Sequence, residues 1–132
     1  SDEVENDIFI SYSHEDTAYM HRLRGALQDA GFTVWSDEKI EPGYDWAETL
    51  AAMIIRSHCI VCMLSDNASQ SKWVGRELGF AEANDTDIFP ILVHGNPVHS
   101  VPLRLINHQF VDAREDFDDA VKRLIATIQE TL

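Results

Sequence analysis

Apolar residues along the chain follow two alternating patterns. Short runs that are apolar on both faces have the length of buried strands, and longer segments between them carry apolar residues at helical spacing. Strands of this kind, alternating with amphipathic helices, predict an α/β fold in which helices cover both faces of a five-stranded parallel sheet. The predicted strands are residues 7–12 (DIFISY), 32–36 (FTVWS), 58–64 (HCIVCML), 87–93 (DIFPILV) and 109–113 (QFVDA).

Four segments carry the helical pattern. Gly31 is placed to end the first helix, and Asp45 and Glu48 form a capping box at the start of the second. Residues 94–108 are too rich in Pro, Gly and Asn to predict a regular helix. The predicted apolar stripes are Met20, Leu23, Leu27 and Ala30; Trp46, Leu50, Met53 and Ile54; Val74, Leu78 and Ala81; and Phe117, Val121, Leu124 and Ile128.

Length and charge limit the classes of function. The 132 residues are enough for one domain with a continuous core, so residues 1–132 are predicted to form a single domain. The chain begins at Ser1 and not at an initiator methionine, so we expect it to be a domain excised from a longer protein. Its formal charge of −13 repels nucleic acids and anionic lipids, and no apolar run approaches the length of a membrane span. We therefore expect neither nucleic acid nor membrane as a partner.

The two cysteines, Cys59 and Cys62, have the spacing of a redox or zinc half-site. They lie in a predicted strand, however, where residues three apart point to opposite faces. The thiols can then neither share a metal nor form a disulfide easily. We expect reduced core cysteines in a cytoplasmic protein.

The third helix contains the segment SKWVGREL, which places two chemically useful side chains beside the core. Trp73 and Glu77 are four residues apart and form the row next to the buried stripe, so Glu77 borders the core. Because this helix follows the third strand, its first turns lie over the carboxyl end of the sheet, where open α/β folds bind ligands. A carboxylate beside an indole at that edge is a candidate for chemistry, although a solvated Glu and a packing Trp are the commoner roles.

Four ordered segments, DIFISYSHED, FTVWSDEKIEPGYDW, CMLSDNASQSKWVGREL and IFPILV, resemble a Toll/interleukin-1 receptor (TIR) domain of the bacterial type over nearly the whole chain. The resemblance implies a flavodoxin-like strand order. It also implies that residues 37–44, with Pro42 and Gly43 at the turn, are a mobile loop used for self-association with other TIR domains.

The TIR family contains two functional kinds, adaptor modules and enzymes that cleave NAD⁺ at the nicotinamide glycosidic bond. The enzymes carry a glutamate four residues after a tryptophan in the third helix, and Trp73 and Glu77 match those positions. A carboxylate there can stabilise the oxocarbenium-like ribose that forms when nicotinamide departs. The resemblance thus implies that Glu77 is the catalytic residue of an NAD⁺ nucleosidase in bacterial immune signalling, with NAD⁺ as substrate and no cofactor.

Further substrate-binding positions follow from the same resemblance. Many relatives have a basic residue where this chain has Ser13, so a pyrophosphate contact is missing or is supplied by Lys39 or another chain. Tyr12 and Ser13 also have structural interpretations, as a strand-end packing residue and as a helix N-cap with Asp16 as its capping partner. The implied substrate-binding residues are Trp73, Tyr12, Ser13, Lys39, Ile40, Gly43 and Trp46.

Three alternatives remain open. A non-catalytic TIR interaction module would use Glu77 only as a structural residue. A phospho-receiver domain is loosely suggested by Asp66 and the Glu15/Asp16 pair, but no Lys ends the fifth strand. A nucleoside-type glycosyltransferase also uses a glutamate at an anomeric carbon.

The remaining charged residues give no metal site. The histidines His94, His99 and His108 have spacings that do not fit a metal cluster, and we expect them to be solvated in loops.

We favour ordinary surface positions for the basic residues Arg56, Lys72 and Arg76, although they could mark an interface.

Overall fold

The computed structural model describes residues 6–37 and 46–132. These residues form a five-stranded parallel sheet with helices on both faces, which confirms the predicted α/β fold. The strands are β1 (Asn6–Ser11), β2 (Val34–Ser36), β3 (Ser57–Leu64), β4 (Asp87–Leu92) and β5 (Val111–Asp112). The helices are α1 (Thr17–Asp29), α2 (Trp46–Ile55), α3 (Asp66–Ser69), α4 (Lys72–Ala83), α5 (Pro97–Ser100) and α6 (Phe117–Gln129), with 3₁₀ turns at His14–Asp16 and Leu103–Leu105.

The strand order is β2-β1-β3-β4-β5, the flavodoxin-like order that the resemblance implies. From β1 the chain moves outward to β2 and then crosses back to β3 on the other side of β1. The winding therefore reverses between β1 and β3, and the carboxyl ends of these two strands form the usual ligand-binding crevice of such sheets. Ser11 at the end of β1 lies beside Cys62 of β3 in this register.

Two apolar layers hold the sheet between the helices. Helices α1 and α6 cover one face, and α2 and α4 cover the other. Because successive side chains of a strand point to opposite faces, Cys59 packs in the first layer and Cys62 in the second. Both cysteines are buried and free, which confirms their prediction as separated core residues.

Several predicted boundaries differ from the structure. The sequence pattern predicts Ala30 on the apolar stripe of the first helix, but Ala30 is the exposed C-cap residue of α1, and Ala26 packs against the core instead. The helix ends there because Gly31 has φ +96°, a left-handed conformation that favours glycine. The fifth strand has only the two residues Val111 and Asp112, since it pairs with β4 alone.

Candidate functional site

Helix α4 carries Glu77 to the carboxyl edge of the sheet. The hydroxyl of Ser71 caps the helix by accepting a hydrogen bond from the Val74 amide at 3.2 Å. Val74, Leu78 and Ala81 form the predicted buried stripe. Glu77 is 3% exposed, so it is buried and does not merely border the core as its sequence position predicts.

One hydrogen bond connects Glu77 to the sheet. The Ser11 hydroxyl donates to Glu77 Oε1 at 2.9 Å, and both side chains are buried. Burial raises the pKa of Glu77 to about 8, the Ser11 hydrogen bond opposes that rise, and the nearby charge of Asp37 adds to it. The carboxyl group is therefore poised to gain or lose its proton near neutral pH, which is unusual for a glutamate and is common in functional sites.

Trp73 lies between two cavities near this carboxyl group. A cavity of about 180 Å³ separates α2 from α4, and Trp73, Arg76 and Glu77 line it together with apolar side chains. A second cavity of about 210 Å³ is lined by Trp73 with Tyr12, Ser13 and residues near them. Trp73 Nε1 is buried and has no hydrogen-bond partner among the described residues. An indole N–H is a hydrogen-bond donor only, so this one is unsatisfied in the described part of the structure.

Tyr12 and Ser13 combine the two roles that the sequence left open. The Tyr12 hydroxyl donates to the Asp37 backbone oxygen at 2.7 Å, and Ser13 caps the 3₁₀ turn that follows β1. Both residues also line the second cavity. The predicted capping role of Asp16 is wrong, because its carboxylate makes no cap hydrogen bond and turns toward other segments.

The remaining predicted substrate residues have side chains outside the described part of the structure. Lys39, Ile40 and Gly43 lie outside the described residues, as does the loop 37–44 apart from Asp37. Trp46 begins α2, but its side chain also lies outside the described part. Their roles stay predictions.

A buried polar network around Asp16 was missed by sequence reasoning. Its carboxylate accepts hydrogen bonds from the Ser65 hydroxyl at 2.5 Å and the Asn67 amide at 2.9 Å, and His94 Nε2 lies 2.6 Å away. His94 was expected to be solvated, but its side chain is only 32% exposed and contacts Asp16, whereas His99 and His108 are exposed as predicted. The available signal was that Asp16, Ser65 and His94 each follow a predicted strand, and the carboxyl ends of parallel strands meet at one edge.

Arg76 has a second role that its sequence position did not indicate. Lys72 and Arg76 are exposed, as predicted, but Arg76 also lines the cavity beside Glu77. Among the described lining residues of both cavities, it is the one Lys or Arg. It therefore adds a positive charge to a site whose lining also contains the carboxyl groups of Glu15 and Glu77.

The described ranges, 6–37 and 46–132, contain neither a metal-ligand cluster nor a membrane-spanning helix. In them, no three His, Cys, Asp or Glu side chains are grouped so that they could hold a metal ion. The helices in the same ranges are too short or too polar to cross a membrane.

Known proteins resemble the chain over most of its length. The family model of the TIR domain matches residues 8–125. Among curated proteins, the disease resistance protein RPV1 of Vitis rotundifolia is 31% identical over an alignment of 99 positions that covers 70% of this chain. The chain spans only 7% of the length of that relative.

Solved structures show the same fold at low identity. The TIR domain of the Toll-related receptor TRR-2 from Hydra magnipapillata has a TM-score of 0.79 at 22% identity, covering 94% of this chain and 98% of that one. A chain of the RPS4 and RRS1 TIR domain heterodimer has a TM-score of 0.68 at 18% identity, covering 96% and 98%. With the family model matched from residue 8 to residue 125, the chain belongs to the TIR domain family.

Proposed function

We propose that this TIR domain cleaves NAD⁺ at the nicotinamide–ribose bond and that Glu77 is its catalytic residue. The observation that carries the proposal is the buried Glu77 carboxyl group, which lines a cavity beside Trp73 at the carboxyl edge of the sheet. This is the edge at which the strand order reverses between β1 and β3. The bacterial type and the NAD⁺-cleaving subclass, both implied by the resemblance, stay predictions.

The chemistry requires an anion next to the ribose and little else. When the C1′–N bond breaks, its electron pair goes to the nicotinamide ring, which leaves as a neutral base, and positive charge develops on the ribose. Ionised Glu77 stabilises that charge in surroundings of low dielectric. Water then attacks C1′ and loses a proton to give ADP-ribose, or an adenine nitrogen attacks to give the cyclic product.

The raised pKa of Glu77 is compatible with this role because the substrate is itself cationic. Burial favours the protonated carboxyl group in the free protein. A bound nicotinamide cation favours the ionised form, since an opposite charge close to a carboxyl group lowers its pKa. Substrate binding would thus ionise the residue that the reaction needs in its anionic form.

Assembly is the second part of the proposal. TIR domains assemble with one another, as in the RPS4 and RRS1 heterodimer. We assign the same behaviour to this chain through its loop 37–44, with a neighbouring copy completing the site. The relationship to a disease resistance protein favours a role in immune signalling. We place that role in the cytoplasm as part of the proposal.

The test measures nicotinamide release from NAD⁺ across a wide range of protein concentration, with the products resolved by chromatography. Glu77→Gln keeps the size of the side chain and should abolish release. Glu82→Gln is the matched control because Glu82 is an exposed glutamate on the same helix, and it should keep full activity. Wild-type activity that rises faster than linearly with concentration supports assembly, and retained turnover in Glu77→Gln refutes the catalytic assignment.

The alternative is a non-catalytic TIR interaction module. The Ser11–Glu77 hydrogen bond favours it, because this bond gives Glu77 a structural role that needs no substrate. Such a module would release no nicotinamide at any protein concentration and would show no NAD⁺ binding by calorimetry.

A further inference from the structure

Ser11 is a polar residue on an apolar face of the sheet. Strand alternation puts it on the same face as Phe9, and its neighbour in register is Cys62; both of these residues belong to the layer under α2 and α4. The Ser11 side chain is fully buried, at 0% exposure. A buried hydroxyl without a partner costs free energy, and a small apolar residue would fill the same space. A serine at this position is therefore explained by its hydrogen bond.

That bond ends on Glu77. Ser11 Oγ lies 2.9 Å from Glu77 Oε1, and Ser11 is the one described residue that hydrogen-bonds to this carboxyl group. The other oxygen, Oε2, has no hydrogen-bond partner among the described residues. The arrangement holds one carboxyl oxygen against the sheet and leaves the second for a ligand in the cavity that Glu77 lines.

The other groups around Glu77 cannot hold it in this way. Helix α2 contributes only apolar side chains to the described cavity wall, and the one basic residue that α4 contributes to it is Arg76. Asp37, just after β2, adds to the rise that burial causes in the pKa of Glu77. Cys62 of β3 is buried next to Ser11. Burial is the main cause of the raised pKa of its thiol, and the charge of Glu77 makes a smaller contribution.

We propose that Ser11 is the positioning residue of the site, which fixes the Glu77 carboxyl group through one oxygen and keeps it available in its ionised form. The role of this pair in NAD⁺ cleavage rests on the proposed function, but the coupling between the two side chains does not. A donor hydroxyl stabilises a carboxylate more than a carboxylic acid, so it acts against the effect of burial. Without it, Glu77 would hold its proton to higher pH and would lose its fixed orientation.

The experiment follows the titration of Glu77 by the ¹³C resonance of its carboxyl carbon, assigned by comparison with Glu77→Gln. Ser11→Ala should move the midpoint upward by about one pKa unit or more, the size expected for one hydrogen bond to a charged group. Ser100→Ala is the matched control. The Ser100 hydroxyl is also fully buried and also donates to a carboxylate, Asp66 Oδ1 at 2.7 Å, but it lines neither cavity of the site. It should leave the Glu77 midpoint unchanged.

An unchanged Glu77 midpoint in folded Ser11→Ala overturns the proposal. If Ser11→Ala does not fold, the wild-type protein can still test the proposal. The Ser11 Cβ resonance of the wild type should then change with pH at the same midpoint as Glu77. A Ser11 resonance that does not follow the Glu77 titration overturns it as well.

The activity profile adds a readout that a purely structural role would not move. In Ser11→Ala the acid limb of the kcat/KM profile should shift to higher pH by the same amount as the Glu77 midpoint. At pH values below that midpoint, kcat/KM should fall about tenfold for each pKa unit of the shift. Wild-type protein without activity would refute the proposed function and leave the titration result for Ser11 intact.

Discussion

The Tyr12 hydroxyl donates a hydrogen bond to the backbone oxygen of Asp37 at 2.7 Å, and so it joins the chain just after β1 to the chain just after β2. His14 Nε2 lies 3.0 Å from the same oxygen. Two side chains from the turn after β1 therefore fix the point at which the loop 37–44 begins.

Tyr12→Phe removes this hydroxyl and keeps the buried ring. Because His14 can still satisfy the Asp37 oxygen, we expect a loss of only about 1 kcal/mol in the free energy of unfolding, measured with urea. Tyr19→Phe is the control, since the Tyr19 hydroxyl has no hydrogen-bond partner among the described residues. Equal losses in the two variants would contradict a specific contribution from the Tyr12–Asp37 bond.

Burial of Glu77 should make stability depend on pH. The pKa is about 8 in the folded protein and 4.5 in the unfolded chain, so between these values the folded state holds a proton that the unfolded state has lost. Stability from this group is therefore present at low pH and is lost as the pH rises toward 8.

Glu77→Gln removes that dependence because glutamine carries no titrating proton. The stability of the variant relative to wild type should increase between about pH 5 and pH 7 by about 1 to 3 kcal/mol. Urea unfolding at several pH values measures the difference, and the exposed Glu82→Gln should show no such trend. A constant difference across this range would show that Glu77 is ionised in the folded protein.

Arg76 should contribute to substrate binding more than to the chemical step. Arg76 lines the cavity beside Glu77, and its guanidinium can pair with the pyrophosphate of a ligand bound there. Arg76→Gln should raise KM for NAD⁺ about tenfold with little change in kcat. Lys72→Gln is the control, because Lys72 is exposed on the same helix and lines neither cavity. A loss confined to kcat would place Arg76 in the chemical step instead.

Both cysteines should resist alkylation in the folded protein. Burial raises the pKa of Cys59 to about 12 and also raises that of Cys62, so little thiolate forms at neutral pH. Iodoacetamide followed by intact mass should give an unlabelled native protein and two labels in denaturant. Rapid native labelling would mean that the sheet opens locally around β3.

The fold was largely predictable because its central strands are apolar on both faces. The segment that became β3 could be assigned from composition alone, since both its faces are covered by helices. Edge elements were less predictable. β5 has one neighbouring strand, so pairing and not hydrophobicity sets its length, and Phe110 stays partly exposed outside it.

The sequence was enough to predict which helix positions carry the candidate site, but not which distant residues surround them. Helical spacing put Trp73 and Glu77 beside the core, yet the hydrogen-bond partner of the buried Glu77 carboxyl group is Ser11, which is 66 residues away in the chain. The Asp16 network has the same origin, because Ser65 and His94 come from two other strand ends. Local periodicity carries no information about such long-range polar contacts.

Because β1 lies between two strands of the sheet, it can form both of its pairings only late in synthesis. This strand pairs with β2 and with β3, so its second neighbour is complete only at Leu64. Every strand pairing in the described sheet also spans a crossover connection, a topology that slows folding compared with local hairpins. During synthesis the apolar segment Ile8–Ile10 therefore lacks one of its two neighbouring strands until about half of the domain has left the ribosome. Until then this apolar segment can aggregate with other chains.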